Sequence, residues 1–352
     1  MQLDQDSWRP DGAGRQADRR GGDRALSETS ILAVASIYIL SAAALYPVQY
    51  HGVLVETFQR SAGPILTLLV LILAGRGLIV APQAPLQAMI GIVRERGAFI
   101  LLSTMVFVLG LAAYTTYKIN LPNVVAFYAD PALARLDRLL HGGNPWQVLY
   151  NAIPERGALV VDFFYTRVWP FLLAGVFLGN IVFVRGRALS RYIWTMMFCY
   201  MVMGGVIATV FSSVGPIFYS DFYPDSGEFL RQKEIILANP HIGDIGVYSR
   251  YLLDNFRDGE LAFGTGISAF PSVHMAVAVL TAWVFTSYGR GAAIVGWLYA
   301  AIIEFGSIYT GWHYGLGGYA STVAVSLCWI ALSRHYGLPL MPPRKQTGRR
   351  PV

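Results

Sequence analysis

The chain has 352 residues, 55% of them hydrophobic and only 14% charged, with a mean hydropathy of +0.46. A soluble globular chain carries about 25% charged residues, so this composition excludes one and indicates a protein that crosses a membrane several times. The net charge of +6 does not argue for nucleic acid, because the basic residues gather between apolar segments and in the tails, as membrane topology distributes them.

Residues 1–30, with "GRQADRRGGDR" at 14–24, read as a disordered cytoplasmic tail; no apolar signal segment stands at the start. A spanning helix takes about 20 mostly apolar residues. Eight segments qualify, at roughly 31–49, 62–81, 98–116, 158–184, 192–212, 270–288, 291–310 and 315–334. The fold class expected is all-α, a polytopic membrane helix bundle. The fourth segment carries Asp162 and Arg167, and a span rarely tolerates such charges without a partner or a role. Arg167 has two readings, a pair with Asp162 or a phosphate contact. Cys199 and Cys328 lie inside apolar runs and read as small hydrophobes in helix packing. Residues 335–352 read as a basic cytoplasmic tail.

Two connections are long. In 117–157, "DPALARLDRLLHGGNPW" places Leu133, Leu136, Leu139 and Leu140 at helical spacing, which predicts a short interfacial helix stopped by Gly142-Gly143. In 213–268 two surface helices are expected, around 227–238 and 246–256. Long loops of this kind commonly cap or line a site. With the N-terminus in the cytoplasm, that side collects the arginines of the N-terminal tail, Arg76, Arg94, Arg96, Arg185, Arg187, Arg191, Arg290 and the C-terminal cluster. The positive-inside rule therefore predicts N-in and C-in. His274 and His313 then fall at the same, non-cytoplasmic face. A plasma (inner) membrane is the expected residence.

"AFPSVHMAVAVL" at 269–280 sets a polar Pro-Ser-Val-His at the mouth of an apolar run, and His313 follows in "SIYTGWHYGLGGYAS". A neutral imidazole can attack phosphorus or move a proton near physiological pH. Two can divide the work, one forming a phosphohistidine while the other protonates the leaving oxygen. A helix start adds N–H donors for an anion, and Ser272 adds a hydroxyl. Ser272 also reads as a plain helix cap. Lys118 and Arg138 read as lipid headgroup contacts. Tyr219, in "GPIFY", faces the site or packs in its wall.

"FPSVH" resembles the second signature of the type-2 phosphatidic acid phosphatase superfamily, Pro-Ser-x-His, and "GSIYTGWHY" resembles its third, Ser-Arg-x5-His-x3-Asp. "GPIFY" and "DPALARLDRLLHGGNPW" are similar to segments of the inositol phosphorylceramide synthase branch and its bacterial relatives. The resemblance covers roughly 117–334. It implies a six-helix core, a catalytic membrane domain at 98–334 after N-terminal transmembrane helices at 31–97, and metal-free chemistry without a cofactor. It makes His313 the nucleophile and His274 the general acid. Read from the residues themselves, Ser272, Arg167 and Tyr219 are candidate substrate contacts. The substrate implied is a membrane lipid phosphoester, hydrolysed or transferred to a lipid hydroxyl.

Two positions depart from the pattern. Ser307 replaces the usual Arg, as the synthase branch often allows. Gly317 replaces the usual Asp that orients the nucleophile. Without it, weak activity and a gain on Gly317→Asp are expected, or else Asp221 or Asp162 reaches in from another element; Glu304 is expected to lie too deep. The rival reading, a catalytically impaired lipid-binding or lipid-translocating relative, rests on Gly317 alone.

Overall fold

Proline opens the two longest helices, at the first-turn position where its missing N–H is no loss. The computed structural model describes residues 28–224, 227–259 and 264–342, so most of both expected tails lies outside the described residues. The first three helices are α1 (Glu28–Leu45), α2 (Pro47–Val80) and α3 (Pro85–Val124). At 34 and 40 residues, α2 and α3 far exceed the segments expected at 62–81 and 98–116. Within the added length of α2, Glu56 and Arg60 form an i,i+4 pair at 2.8 Å. The division expected at 97/98 falls inside α3.

Two short helices follow, α4 (Asp130–His141) and α5 (Pro145–Ala152). The α4 helix ends at Gly142, whose φ of +68° makes it a left-handed cap. Its Leu136, Leu139 and Leu140 are exposed, whereas Leu133, Ala134, Asp130 and Asp137 turn inward. The Asp137 carboxylate accepts the N–H groups of Gly315 and Leu316, at 3.3 and 2.8 Å.

Two long helices come next, α6 (Glu155–Phe183) and α7 (Gly186–Val210). Each contains a π-helical stretch, at Phe164–Val168 and Phe198–Ile207. The connection after α7 folds as α8 (Pro216–Phe222), α9 (Gly227–Ala238) and α10 (Asp244–Asp258), close to the two surface helices expected. Asp221 ties these three together through Lys233 at 2.5 Å and Arg257 at 3.0 Å. Asp162 accepts Ile245 N–H at 2.8 Å, and Arg167 pairs with Asp244 at 2.6 Å. The charges inside α6 therefore dock α10, and the expected Asp162–Arg167 pair is replaced by these contacts.

The last helices are α11 (Val273–Thr286), α12 (Arg290–Tyr309) and α13 (Gly315–Tyr336). Six helices are long and apolar enough to cross a membrane, and α1 and α11 are shorter apolar ones. Among the described residues every regular element is helical. Most of α11 is buried, and it pairs most extensively with α12, then with α13. Close approach is possible because α12 carries Gly296. A Cβ there would stand 2.9 Å from both Ala282 Cα and Phe285 Cβ. Gly296→Val is therefore expected to push α11 from α12 and to cost roughly 1–3 kcal/mol, the usual range for overpacking. Thermal unfolding in detergent should show the loss, with the midpoint unchanged for Gly291→Ala, where a Cβ meets nothing within 4 Å.

Candidate functional site

Ser272 caps α11. Its hydroxyl accepts Met275 N–H at 3.2 Å, and its side chain is fully buried. The cap fixes the first turn of α11 and so the place of His274. His313 sits in the turn between α12 and α13, where its own N–H donates to the Ser307 carbonyl at 3.3 Å. The two rings meet, with His274 Nδ1 3.2 Å from His313 Nε2 and ring centroids 5.5 Å apart.

The second nitrogen of His313, Nδ1, lies 2.7 Å from the Ala269 carbonyl oxygen. A carbonyl only accepts, so Nδ1 carries the proton and Nε2 keeps its lone pair. The hydrogen to His274 must then come from His274 Nδ1. One imidazole presents a lone pair and the other an N–H at a single point.

Gly317 is where the sequence expects trouble, and the backbone resolves it. A Cβ at 317 would stand 3.5 Å from the Ala269 oxygen and 3.6 Å from Ser272 N. The 269–272 backbone thus lies against the face that an aspartate would occupy. Neither substitute acid is present at the imidazole: Asp221 is held by Lys233 and Arg257, and Asp162 caps α10. Glu304 turns its carboxylate to Gly318, where a Cβ would overlap it.

Aromatic rings wall His274. Tyr165 stacks on it at 4.8 Å, Trp169 lies at 4.4 Å and Trp312 at 5.8 Å. Trp169 also donates its indole N–H to the His274 carbonyl at 2.9 Å. Tyr165 belongs to the π-helical stretch of α6, a geometry frequent at functional sites. The sequence gives no signal for Tyr165, because a π-turn has no residue signature. Trp312 Nε1 donates to Ser249 on α10 at 2.9 Å, which closes the cap over the pair.

The other candidate contacts have the following partners. Arg167 is exposed and committed to Asp244. Tyr219 packs in the wall, at 4.7 Å from both Tyr223 and Phe229. Ser272 Oγ is engaged as a helix cap. Lys118, expected as a headgroup contact, lies in the last turns of α3. Burial pushes His313 down to about 4; the Ala269 hydrogen bond opposes this and the Lys118 ammonium reinforces it.

A family model described as the PAP2 superfamily matches residues 131–331, more than half of the chain and both histidines. The chain belongs to the PAP2 superfamily. A phosphatase- or phosphotransferase-type function follows from that membership. No curated protein and no solved structure matches the chain.

Two outcomes are expected. The nucleophile is the neutral ring, so a lowered pKa keeps it available as pH falls. With an activated aryl phosphodiester, whose charge is constant over the range, phosphoenzyme formation should lose half its rate at about pH 4, instead of near the ordinary histidine value of about 6.5. The Gly317→Asp expectation reverses. The new carboxylate meets a carbonyl that already holds the imidazole, so activity should fall by roughly tenfold, equivalent to about 1.4 kcal/mol. A gain in kcat/KM would contradict this account of the ring's orientation.

Proposed function

We propose that the chain cleaves a lipid phosphoester through a phosphohistidine at His313, with His274 as the acid. The observation that carries the reading is the 3.2 Å approach of His274 Nδ1 to His313 Nε2, with the opposite nitrogen of His313 held by Ala269. His274 Nδ1–H turns from His313 Nε2 to the leaving oxygen, and the freed Nε2 lone pair attacks phosphorus as the bond to that oxygen breaks. His274, as imidazolium, gives that oxygen its proton. The substrate's negative charge offsets the imidazolium. In the second half, His274 takes a proton from water or a lipid hydroxyl, whose oxygen attacks phosphorus as the N–P bond breaks.

The inositol phosphorylceramide synthase-like branch is the finer assignment, and transfer to a lipid hydroxyl its reaction. Ser307 at the usual Arg position supports it, as does the aromatic, capped surround of His274. The chain is oriented N-in and C-in in the plasma membrane, with the site at the non-cytoplasmic face; the arginine distribution supports this. Against the impaired, lipid-binding reading stands the Ala269 carbonyl, which orients His313 where Gly317 cannot. Of the candidate substrate contacts, Ser272 acts by holding the start of α11, while Arg167 and Tyr219 are left to the walls and cap.

His313→Ala should abolish the acid-labile phosphoenzyme on every substrate. His274→Ala should lower turnover of a dialkyl lipid phosphoester by about 10²–10⁴-fold, the range of general acid help. It should cost far less with a 4-nitrophenyl leaving group, which departs without a proton. Equal losses for both variants on the aryl ester would contradict the division of labour. Purified protein given a labelled lipid phosphoester, with and without a lipid alcohol, separates hydrolysis from transfer: free phosphate-bearing headgroup marks the first, a new phospholipid the second.

A further inference from the structure

Asp130 is fully buried at the start of α4, and the chemistry above does not use it. Its carboxylate accepts four hydrogen bonds. Oδ1 takes Gly215 N–H and the Tyr314 hydroxyl, each at 2.8 Å. Oδ2 takes Val214 N–H at 2.9 Å and the Tyr223 hydroxyl at 3.1 Å. Four donors fill the acceptor sites of a carboxylate.

Two of these arms lead to His313. Tyr314 is its chain neighbour. Val214 and Gly215 continue from Ser213, whose carbonyl accepts Ala269 N–H at 3.1 Å. Ala269 in turn supplies the oxygen that holds His313 Nδ1. Gly215, with φ +87°, lets the chain pass through a gap that a side chain would block: a Cβ would stand 2.8 Å from both Ala269 Cβ and the Trp312 oxygen. The start of α4 is bonded to the same segment, with Tyr128 and Ala129 N–H both on the Ser212 carbonyl at 3.1 Å.

We propose that Asp130 is a positioning residue for His313. One buried carboxylate fixes both the 213–215 segment, on which the Ala269 N–H rests, and the tyrosine beside the imidazole. Asp130 thereby does at one remove what an aspartate at 317 would do by contact. The proposal deepens the phosphohistidine reading and rests on it for its catalytic meaning, but the position of the ring proton is measurable without catalysis.

The test is the ring ¹⁵N spectrum of His313 in the full-length chain in lipid nanodiscs, read beside turnover of 4-nitrophenyl phosphate. His313→Asn identifies the signals among the chain's six histidines. In the native chain the proton is on Nδ1. Asp130→Asn presents an amide to donors that need an acceptor, so it should mix the two tautomers and lower kcat by about 10²-fold, with KM nearly unchanged. Loss of a directly bonded orienting carboxylate costs about 10⁴ in a serine protease, and an indirect one costs less. A folded Asp130→Asn with the native tautomer and rate would overturn the proposal. Should that variant not fold, Tyr314→Phe and Tyr223→Phe decide, since each deletes one hydroxyl from the same carboxylate and only Tyr314 adjoins His313. A tautomer shift confined to Tyr314→Phe supports the proposal; equal effects, or none from either, overturn it. If the native chain turns over no phosphoester while the ring signal still answers to Asp130 as stated, the function reading falls and the positioning role stands.

Discussion

The hydrogen bond between His313 Nδ1 and the Ala269 carbonyl, at 2.7 Å, is the contact on which the rest of the site depends. It sets the tautomer, and the tautomer decides which nitrogen has a lone pair and where it points. With Nε2 unprotonated and 3.2 Å from His274, attack and proton donation converge on one position. The orienting atom is part of the main chain, so its place is a property of the fold and needs no rotamer to be selected. A neutral carbonyl also differs from a carboxylate in strength, since charge-assisted hydrogen bonds are roughly twice as strong as neutral ones. It orients the ring fully and stabilises positive charge on it weakly.

That carbonyl is held by helices meeting from three directions. The α11 start is fixed by the Ser272 cap, and Ser272 N–H reaches the Gly317 carbonyl at 3.3 Å, so α11 and α13 are joined beside the imidazole. Asp137 caps the start of α13 from α4. The polar groups inside α6 are spent on the cap, because Asp162 and Arg167 both bind the first turn of α10. Asp162 and Arg167 thus dock α10 beside the site, while the aromatic faces of Tyr165, Trp169 and Trp312 fill the space around His274.

Much of this was legible in the sequence. Apolar runs of spanning length marked the membrane helices, and amphipathic leucines marked α4. Pro-Ser-Val-His at a helix mouth, with a second histidine at an outer end, marked the pair. The start of α2 was hidden because its polar residues, Gln49, His51, Glu56 and Arg60 among them, lower the hydropathy without preventing a helix. The partner of Arg167 was hidden because Asp244 is far away in the chain, and only folding sets α10 against α6. The orienting group was hidden for a more basic reason. Every residue has a carbonyl, so a backbone acceptor leaves no trace in residue identity, and a reading confined to side chains looks for an acid. Asp130 escaped notice similarly: in "DPALARLDRLL" an acid at a helix start reads as a solvated first-turn charge, and nothing local reveals that four donors converge on it.

The choice of acceptor bears on both halves of the proposed reaction, in opposite senses. A carboxylate pushes electron density into the ring, which strengthens the nucleophile and also strengthens the N–P bond that must later break. A carbonyl pushes less. Attack by His313 is then slower for a given leaving group, but the phosphorylated ring is a better leaving group itself, as Brønsted behaviour requires of a less basic nitrogen. An intermediate of that kind is short-lived once an acceptor oxygen is in place. Its fate depends on which oxygen arrives first, that of water or that of a lipid hydroxyl. Replacing the aspartate by a backbone carbonyl therefore weakens the first step, which hydrolysis and transfer share, and speeds the second for either acceptor.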